Sequence, residues 1–277
     1  MQASSGMRLN ILRRVFIVGG VGTTSKPEVI AEWVMLLGMA GTHTTIFQGA
    51  NLLLNIANCA KEWRVVERLR EEAQETLTGD ADWADASSFK RQVLANSIIR
   101  ESLRLNPVTI KGLTKEVMPS SGFQLPDGTS MPKGGWVGAP VLGNHLDEKY
   151  YVNSNVFEPF RFVNKLLPRE NTKATSYGDE LDAAKPSTTY LTFGYGRSSW
   201  YVSSTIVELV LVDLPHGKHS PGRWFAVLML KMMMAYIILN YDIESTGPIP
   251  PTRAIGDAAL PPRSSTIRIR RRKQAKE

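Results

Sequence analysis

The sequence predicts a mainly α fold with small β-sheets, an α+β arrangement in which helices carry the core. Three observations lead there. Pro27 to Asn58 is a long, predominantly apolar stretch without a strong helix breaker. Lys61 to Leu77 and Phe89 to Leu105 repeat apolar and charged residues at helical spacing. From Val108 to Gly138 the texture changes to short extended pieces punctuated by Gly, Pro and Asp.

Taken in order, Val15 to Gly22 reads as a strand running into glycines, but it lacks both a third glycine at dinucleotide spacing and a Gly-Lys-Ser/Thr ending. It is therefore read as an ordinary loop. Pro27 and Glu28 suit a first helical turn, where proline forfeits no needed donor and a carboxylate meets the positive dipole end. Inside the long helix, Ala40 to Thr45 is small and polar where packing would prefer aliphatics. Gly41 there costs roughly 1 kcal/mol against alanine. Either the helix is locally distorted, with threonines bonding back one turn, or it opens a groove for a ligand. The charge run of Lys61 to Leu77 is a solvated face. Asn106-Pro107 stops the third helix. Phe123 to Gly134 reads as a hairpin turning at Asp127-Gly128. Ala139 to Tyr151 reads as helical, Phe157 to Phe162 as an aromatic turn, and Asn164 to Thr189 as an irregular connection. The apolar runs Val29 to Ala40 and Phe225 to Leu239 are interrupted by Glu32 and Lys231 and are short for a bilayer, so both are read as buried helices.

Composition narrows the function classes. Of 277 residues 43% are hydrophobic and 21% charged, which excludes a disordered or fibrous chain. The single cysteine, Cys59, excludes a disulfide framework and any multi-cysteine metal site, and reads as a small buried filler. Four histidines leave little for a histidine-built one. The net charge is +7, yet six of those seven charges lie from Arg253 onward. The charge describes a tail, so nucleic-acid binding by Arg268, Arg270, Arg271, Arg272 and Lys273 is the lesser reading beside a solvated terminus. Met1 to Asn10 is polar, and no secretory signal is expected.

Four blocks then occur in a telling order: Ala40-Gly-Thr-His-Thr-Thr45, Glu101-x-x-Arg104, Phe157-Glu-Pro-Phe-Arg161-Phe162, and Phe193-Gly194-Tyr-Gly196-Arg197-Ser-Ser. In this the chain resembles the C-terminal half of a cytochrome P450, a heme-thiolate monooxygenase, of the fungal secondary-metabolism type. The resemblance runs from about Pro27 to Arg272, leaving 1–26 unmatched and 273–277 as a basic tail. It implies heme b as cofactor, NADPH-cytochrome P450 reductase as partner, and oxidation of an apolar small-molecule substrate. By resemblance, Thr44 donates a hydrogen bond during oxygen activation, and His43 stands where the family usually has a carboxylate and could relay protons. Phe193, Gly194 and Gly196 belong to the heme loop, Arg197 and Lys115 to the propionates, and Glu101, Arg104 and Arg161 to a structural ion network. Intact members sit at the endoplasmic-reticulum membrane. Nothing here resembles the family's N-terminal half and no anchor is seen, so the chain is expected to be a fragment, cytoplasmic or peripheral.

The departure that matters follows Ser199. The family's axial cysteine is expected there, and Trp200 stands in its place. An indole N–H only donates and has no lone pair for iron. The sequence expected after the cysteine, Pro-Gly-Arg-x-Phe-Ala, appears only from Pro221 to Ala226. Trp200-Tyr-Val can be encoded as TG followed by GTATGT, a splice-donor sequence, and His219-Ser220 can end in an acceptor AG. Joining the flanks rebuilds a cysteine codon in frame. Trp200 to Ser220 is therefore read as an intron-derived insertion, and His216 and His219 as accidental rather than metal ligands. The expected function is that of a monooxygenase lineage in a natural-product pathway, with the chain as written an inactive truncated remnant or a mistaken gene model.

Overall fold

The computed structural model describes residues 27–163, 181–196 and 222–273. The Val15–Gly22 segment, part of the 164–189 connection, Arg197, Trp200 to Ser220 with His216 and His219, and the last four tail residues lie outside the described residues.

The long helix α1, Pro27–Ala57, runs unbroken through Gly41. The helix is not interrupted there. Thr45 Oγ1 donates to the Gly41 carbonyl at 2.6 Å, and His43 Nδ1 lies 3.1 Å from the Met39 carbonyl, both without interrupting the helix. A Cβ on Gly41 would meet nothing within 4 Å, so no neighbour forces the backbone apart.

The predicted helix of Lys61 to Leu77 is shorter and preceded by a 3₁₀ turn, Lys61–Trp63. Arg64 takes φ 47° and ψ 44°, a left-handed conformation that a continuous helix cannot contain. Helix α2 therefore spans Val65–Thr76. Two single-turn helices follow, α3 at Asp80–Ala84 and α4 at Ala86–Lys90. The predicted third helix is divided: Phe89 belongs to α4, and α5 is Val93–Leu105. A remote side chain sets that boundary. The half-buried Glu72 carboxylate on α2 accepts from Leu94 N–H at 2.6 Å and Ala95 N–H at 2.9 Å, capping α5 from outside its own sequence.

The strands form four two-stranded antiparallel sheets. β1 (Gly112–Glu116) pairs with β4 (Trp136–Ala139), and β2 (Phe123–Gln124) with β3 (Ser130–Met131). Gly128 at φ +88° makes the expected hairpin turn, while the Asp127 side chain accepts from Thr129 N–H. Helix α6 covers only Val141–His145. The helix predicted to Tyr151 ends at His145, whose carbonyl accepts from Arg104, while the Leu146 carbonyl accepts from Ser154 Oγ and the Asp147 carbonyl closes a separate turn with Tyr150 and Tyr151. Helix α7 is Gly222–Asn240; β5 (Tyr241–Ser245) pairs with β8 (Ile267–Arg271), and β6 (Arg253–Ile255) with β7 (Ala258–Leu260).

One apolar core joins these pieces, with Leu52 and Ile56 of α1, Leu69 of α2, Ile98 of α5, Phe193 and Met234 among its buried members. Helix α7 is long and apolar enough, by composition, to cross a membrane. It instead packs against α1, α2 and α5 and buries Lys231, whose Nζ donates to the Phe89 carbonyl at 2.9 Å. The expectation that both apolar runs are buried needs correction, because each helix buries one face only. Met35 and Met39 on α1 and Phe225 and Tyr236 on α7 are exposed by 55–76%.

Candidate functional site

Helix α5 supplies a buried polar centre. Glu101 and Arg104 are one turn apart on its buried face and are both fully inaccessible. Arg104 grips Glu101 with two bonds, Nε to Oε2 and Nη2 to Oε1, each 2.8 Å. Arg161, from the turn after Phe157, donates Nε to the same carboxylate at 3.0 Å, and Glu158 N–H adds a bond of 3.1 Å. The remaining guanidinium hydrogens are spent on carbonyls. Arg104 Nη1 donates to His145 O at 2.6 Å and Ser154 O at 2.7 Å, while Arg161 reaches the carbonyls of Val152, Asn153 and Val156. Glu158 balances the second arginine at 3.4 Å. Two cations meet two anions with their donors used, the condition under which buried charges are tolerated.

The same helix face fixes the 181–196 segment. Asn96 Nδ2 donates to Leu181 O at 2.8 Å, and its Oδ1 accepts from Ala183 N–H. Arg100 donates to the carbonyls of Asp182 and Lys185 and lies over the Tyr190 ring at 4.1 Å. His145 completes the link. Its Nδ1 lies 2.9 Å from the Arg104 carbonyl, and its Nε2 accepts from Leu191 N–H at 2.7 Å. That pattern requires a neutral ring protonated on Nδ1. Burial pulls its pKa down to about 4, and the charges of Arg104 and Arg100 act in the same direction. The sequence did not single out Asn96, Arg100 or His145.

Two residues beyond Leu191, Phe193 is buried in the core, and Gly194 and Gly196 adopt φ of +76° and +67°, conformations that favour glycine. The predicted loop thus has its backbone held from behind by α5 and α6. Thr44 is half-buried and His43 exposed, on a part of α1 whose outer face is open. Lys115 lies on β1 opposite Val137 of β4. The structure brings Glu101, Arg104 and Arg161 together and seats Phe193 in the core that α1 and α5 share. Lys115 belongs to a separate two-stranded sheet.

The cytochrome P450 family model matches residues 16–199, most of the chain. The chain belongs to the cytochrome P450 family. Cytochrome P450 monooxygenase efuH of Hormonema carpetanum is 53% identical over 251 residues, which is 91% of this chain and 41% of that protein. Cytochrome P450 monooxygenase fsoD of Humicola fuscoatra is 48% identical over 267 residues, 94% of this chain and 45% of the relative. Cytochrome P450 monooxygenase polB of Polytolypa hystricis is 37% identical over 247 residues. The chain spans about two fifths of the length of the curated relatives it matches. Its mixture of helices and small sheets is a partial P450 fold.

Membership implies a heme cofactor, and the donor set tests whether these residues suit it. The only cysteine, Cys59, lies just beyond α1, packs against the core, and has its thiol pushed up to about 11, chiefly by burial. A thiol held protonated is a poor iron ligand. Phe193 to Ser199 is followed in the sequence by Trp200, whose indole N–H only donates. Among the described residues no group of three His, Cys, Asp or Glu side chains is arranged to hold a metal ion. The residues present do not fit a thiolate-bound heme.

Proposed function

We propose that this chain is the C-terminal part of a fungal natural-product cytochrome P450 and that, as written, it does not catalyse. The observation that carries this is the donor set: Trp200 at the ligand position, and Cys59 protonated beside the core. The lineage activity, oxygen-dependent hydroxylation or oxidation of an apolar metabolite with electrons from NADPH-cytochrome P450 reductase, belongs to a longer form with the cysteine in place. In that form Thr44 and His43 would serve oxygen activation, Arg197 and Lys115 the propionates, and the location would be the endoplasmic-reticulum membrane.

The domain reading follows the same line. Residues 27–272 are read as a partial P450 domain carrying an intron-derived insertion at 200–220, with the family match reaching back to residue 16. In support, the family match stops at Ser199, one residue before Trp200, and the Pro221 to Ala226 sequence resumes what belongs after the cysteine. Transcript sequencing tests it. Reads that skip the segment and encode Ser-Ser-Cys-Pro-Gly-Arg support the insertion; reads that uniformly keep it refute the splicing account and leave the remnant.

A further inference from the structure

The 181–196 segment is held in two parts by bonds of different kinds. Its first part is tied by groups that keep their charge state in mild acid. Asn96 bridges Leu181 and Ala183, Arg100 donates to the Asp182 and Lys185 carbonyls, and Tyr190 Oη donates to the Ala183 carbonyl at 3.0 Å. Its second part starts at Leu191, whose N–H donates to His145 Nε2. Thr192 Oγ1 adds a bond to the Leu103 carbonyl at 3.1 Å, and Gly194 and Gly196 follow with positive φ.

The orientation of the His145 ring is fixed. Arg104 Nη1 donates to the His145 carbonyl while the ring's Nδ1 meets the Arg104 carbonyl, so α5 and α6 exchange bonds through this pair. Tyr190 stacks on the ring with centroids 5.7 Å apart and planes 16° from parallel, and His145 is fully buried. Its charged surroundings are one-sided. Arg104 and Arg100 of α5 face it, and the carboxylates near it are engaged elsewhere. Glu101 is bound by Arg104 and Arg161, and Asp182 accepts from Ala184 N–H. After α6, Asp147 accepts from Lys149 N–H, Glu148 from Ser154 N–H, and Tyr151 Oη donates to the Thr189 carbonyl. Both ring nitrogens are bonded to backbone groups, and neither meets a carboxylate.

Protonation changes the two ring bonds unequally. Nδ1–H is a donor in both charge states, so the bond to α5 persists. Nε2 turns from acceptor to donor and then points a hydrogen at the Leu191 N–H. We infer that His145 is an acid-operated latch, which on protonation releases Leu191 to Gly196 while 181–190 stays on α5. The sign follows from the ring's surroundings. Burial holds the closed ring's pKa at about 4, whereas a ring freed to water titrates near 6.5. The latch is therefore shut above pH 6.5 and weakens as pH falls from there to 4. One proton is taken up on opening, so the opening equilibrium rises about tenfold per pH unit. All parts of the latch lie in this chain, and it does not depend on the functional reading above.

The test is amide hydrogen exchange on the whole chain between about pH 6.5 and 4.5, corrected for the intrinsic pH dependence of exchange. The Leu191 amide should lose protection by about 100-fold over that range, while the Ala183 amide, held by Asn96, keeps its own. His145→Gln offers Leu191 a neutral acceptor at every pH and should make its protection independent of pH. Leu191 and Ala183 losing protection in step would mean that acid opens the chain as a whole, and overturns the latch. So does a Leu191 amide whose protection stays constant in the parent chain, or one that weakens equally in His145→Gln. Where the variant does not fold, the two amides of the parent chain decide the matter by themselves.

Discussion

Around Glu101 each charged group finds its partners on α5, α6 and the turns up to Arg161, within 60 residues of sequence. Around Thr44 the helix faces outward, with Met35, Met39 and Ile46 exposed by 55–76%. Both regions carry family motifs, and both are helical. They differ in closure. The ion network is completed by residues close in sequence, so a chain covering two fifths of its relatives still builds it. The Thr44 stretch instead lies beside apolar side chains left exposed. A motif whose partners lie near it in sequence is built within this chain alone.

That contrast can be broken at its strong side first. Arg104→Ala leaves the Glu101 carboxylate with only Arg161 for charge compensation and strands the His145 and Ser154 carbonyls. The expected loss is about 3–5 kcal/mol, enough to unfold a marginal domain. Arg104→Lys should recover little, because an ammonium cannot reproduce the bidentate grip. Denaturant titration measures both, and a loss under 1 kcal/mol for the alanine variant would place the fold's support elsewhere.

A smaller effect sharpens the role of His145. Its folded pKa of about 4 lies below the ordinary 6.5, so the folded state prefers the neutral ring. Its contribution is complete above pH 6.5 and is lost as pH falls from there to 4, to the extent of about 3 kcal/mol. Glu72 works oppositely. Burial, its largest influence, raises its pKa to about 7, so its effect favours folding as pH falls through 7 towards 4.5. The measurement is therefore a difference. Stability of the parent minus that of His145→Gln should shrink between pH 6.5 and 4, and a difference independent of pH contradicts the assigned ring state.

The least energetic change concerns the open side. Met39→Glu with Ile46→Glu should alter stability by no more than about 0.5 kcal/mol, since both positions are exposed. It should nonetheless reduce self-association in sedimentation experiments, because an exposed apolar face favours it. Unchanged association would show that this face is not adhesive.

How much was legible follows the same division. Glu101, Arg104 and Arg161 were readable through the family resemblance that their blocks carry, and the Asp127-Gly128 turn because its chemistry is local. The α5 boundary was not, since its cap is Glu72, more than 20 residues away. His145 escaped notice because a lone histidine on a short helix looks the same whether it is solvated or bonded at both nitrogens. The continuous α1 defied a reading of Gly41 as a break because helix formation is cooperative and one glycine costs only about 1 kcal/mol. Exposure of Met35 and Phe225 was hidden because apolar runs report a preference for burial, and a partner decides whether it is met.

The central claim is that this chain retains the structural half of a P450 without its iron ligand. The most direct measurement is the absorbance spectrum of the purified whole chain after titration with heme, reduction and exposure to carbon monoxide. The account predicts no red-shifted band of the kind thiolate ligation produces, because Trp200 cannot ligate and Cys59 stays protonated. Appearance of that band from this chain would contradict it.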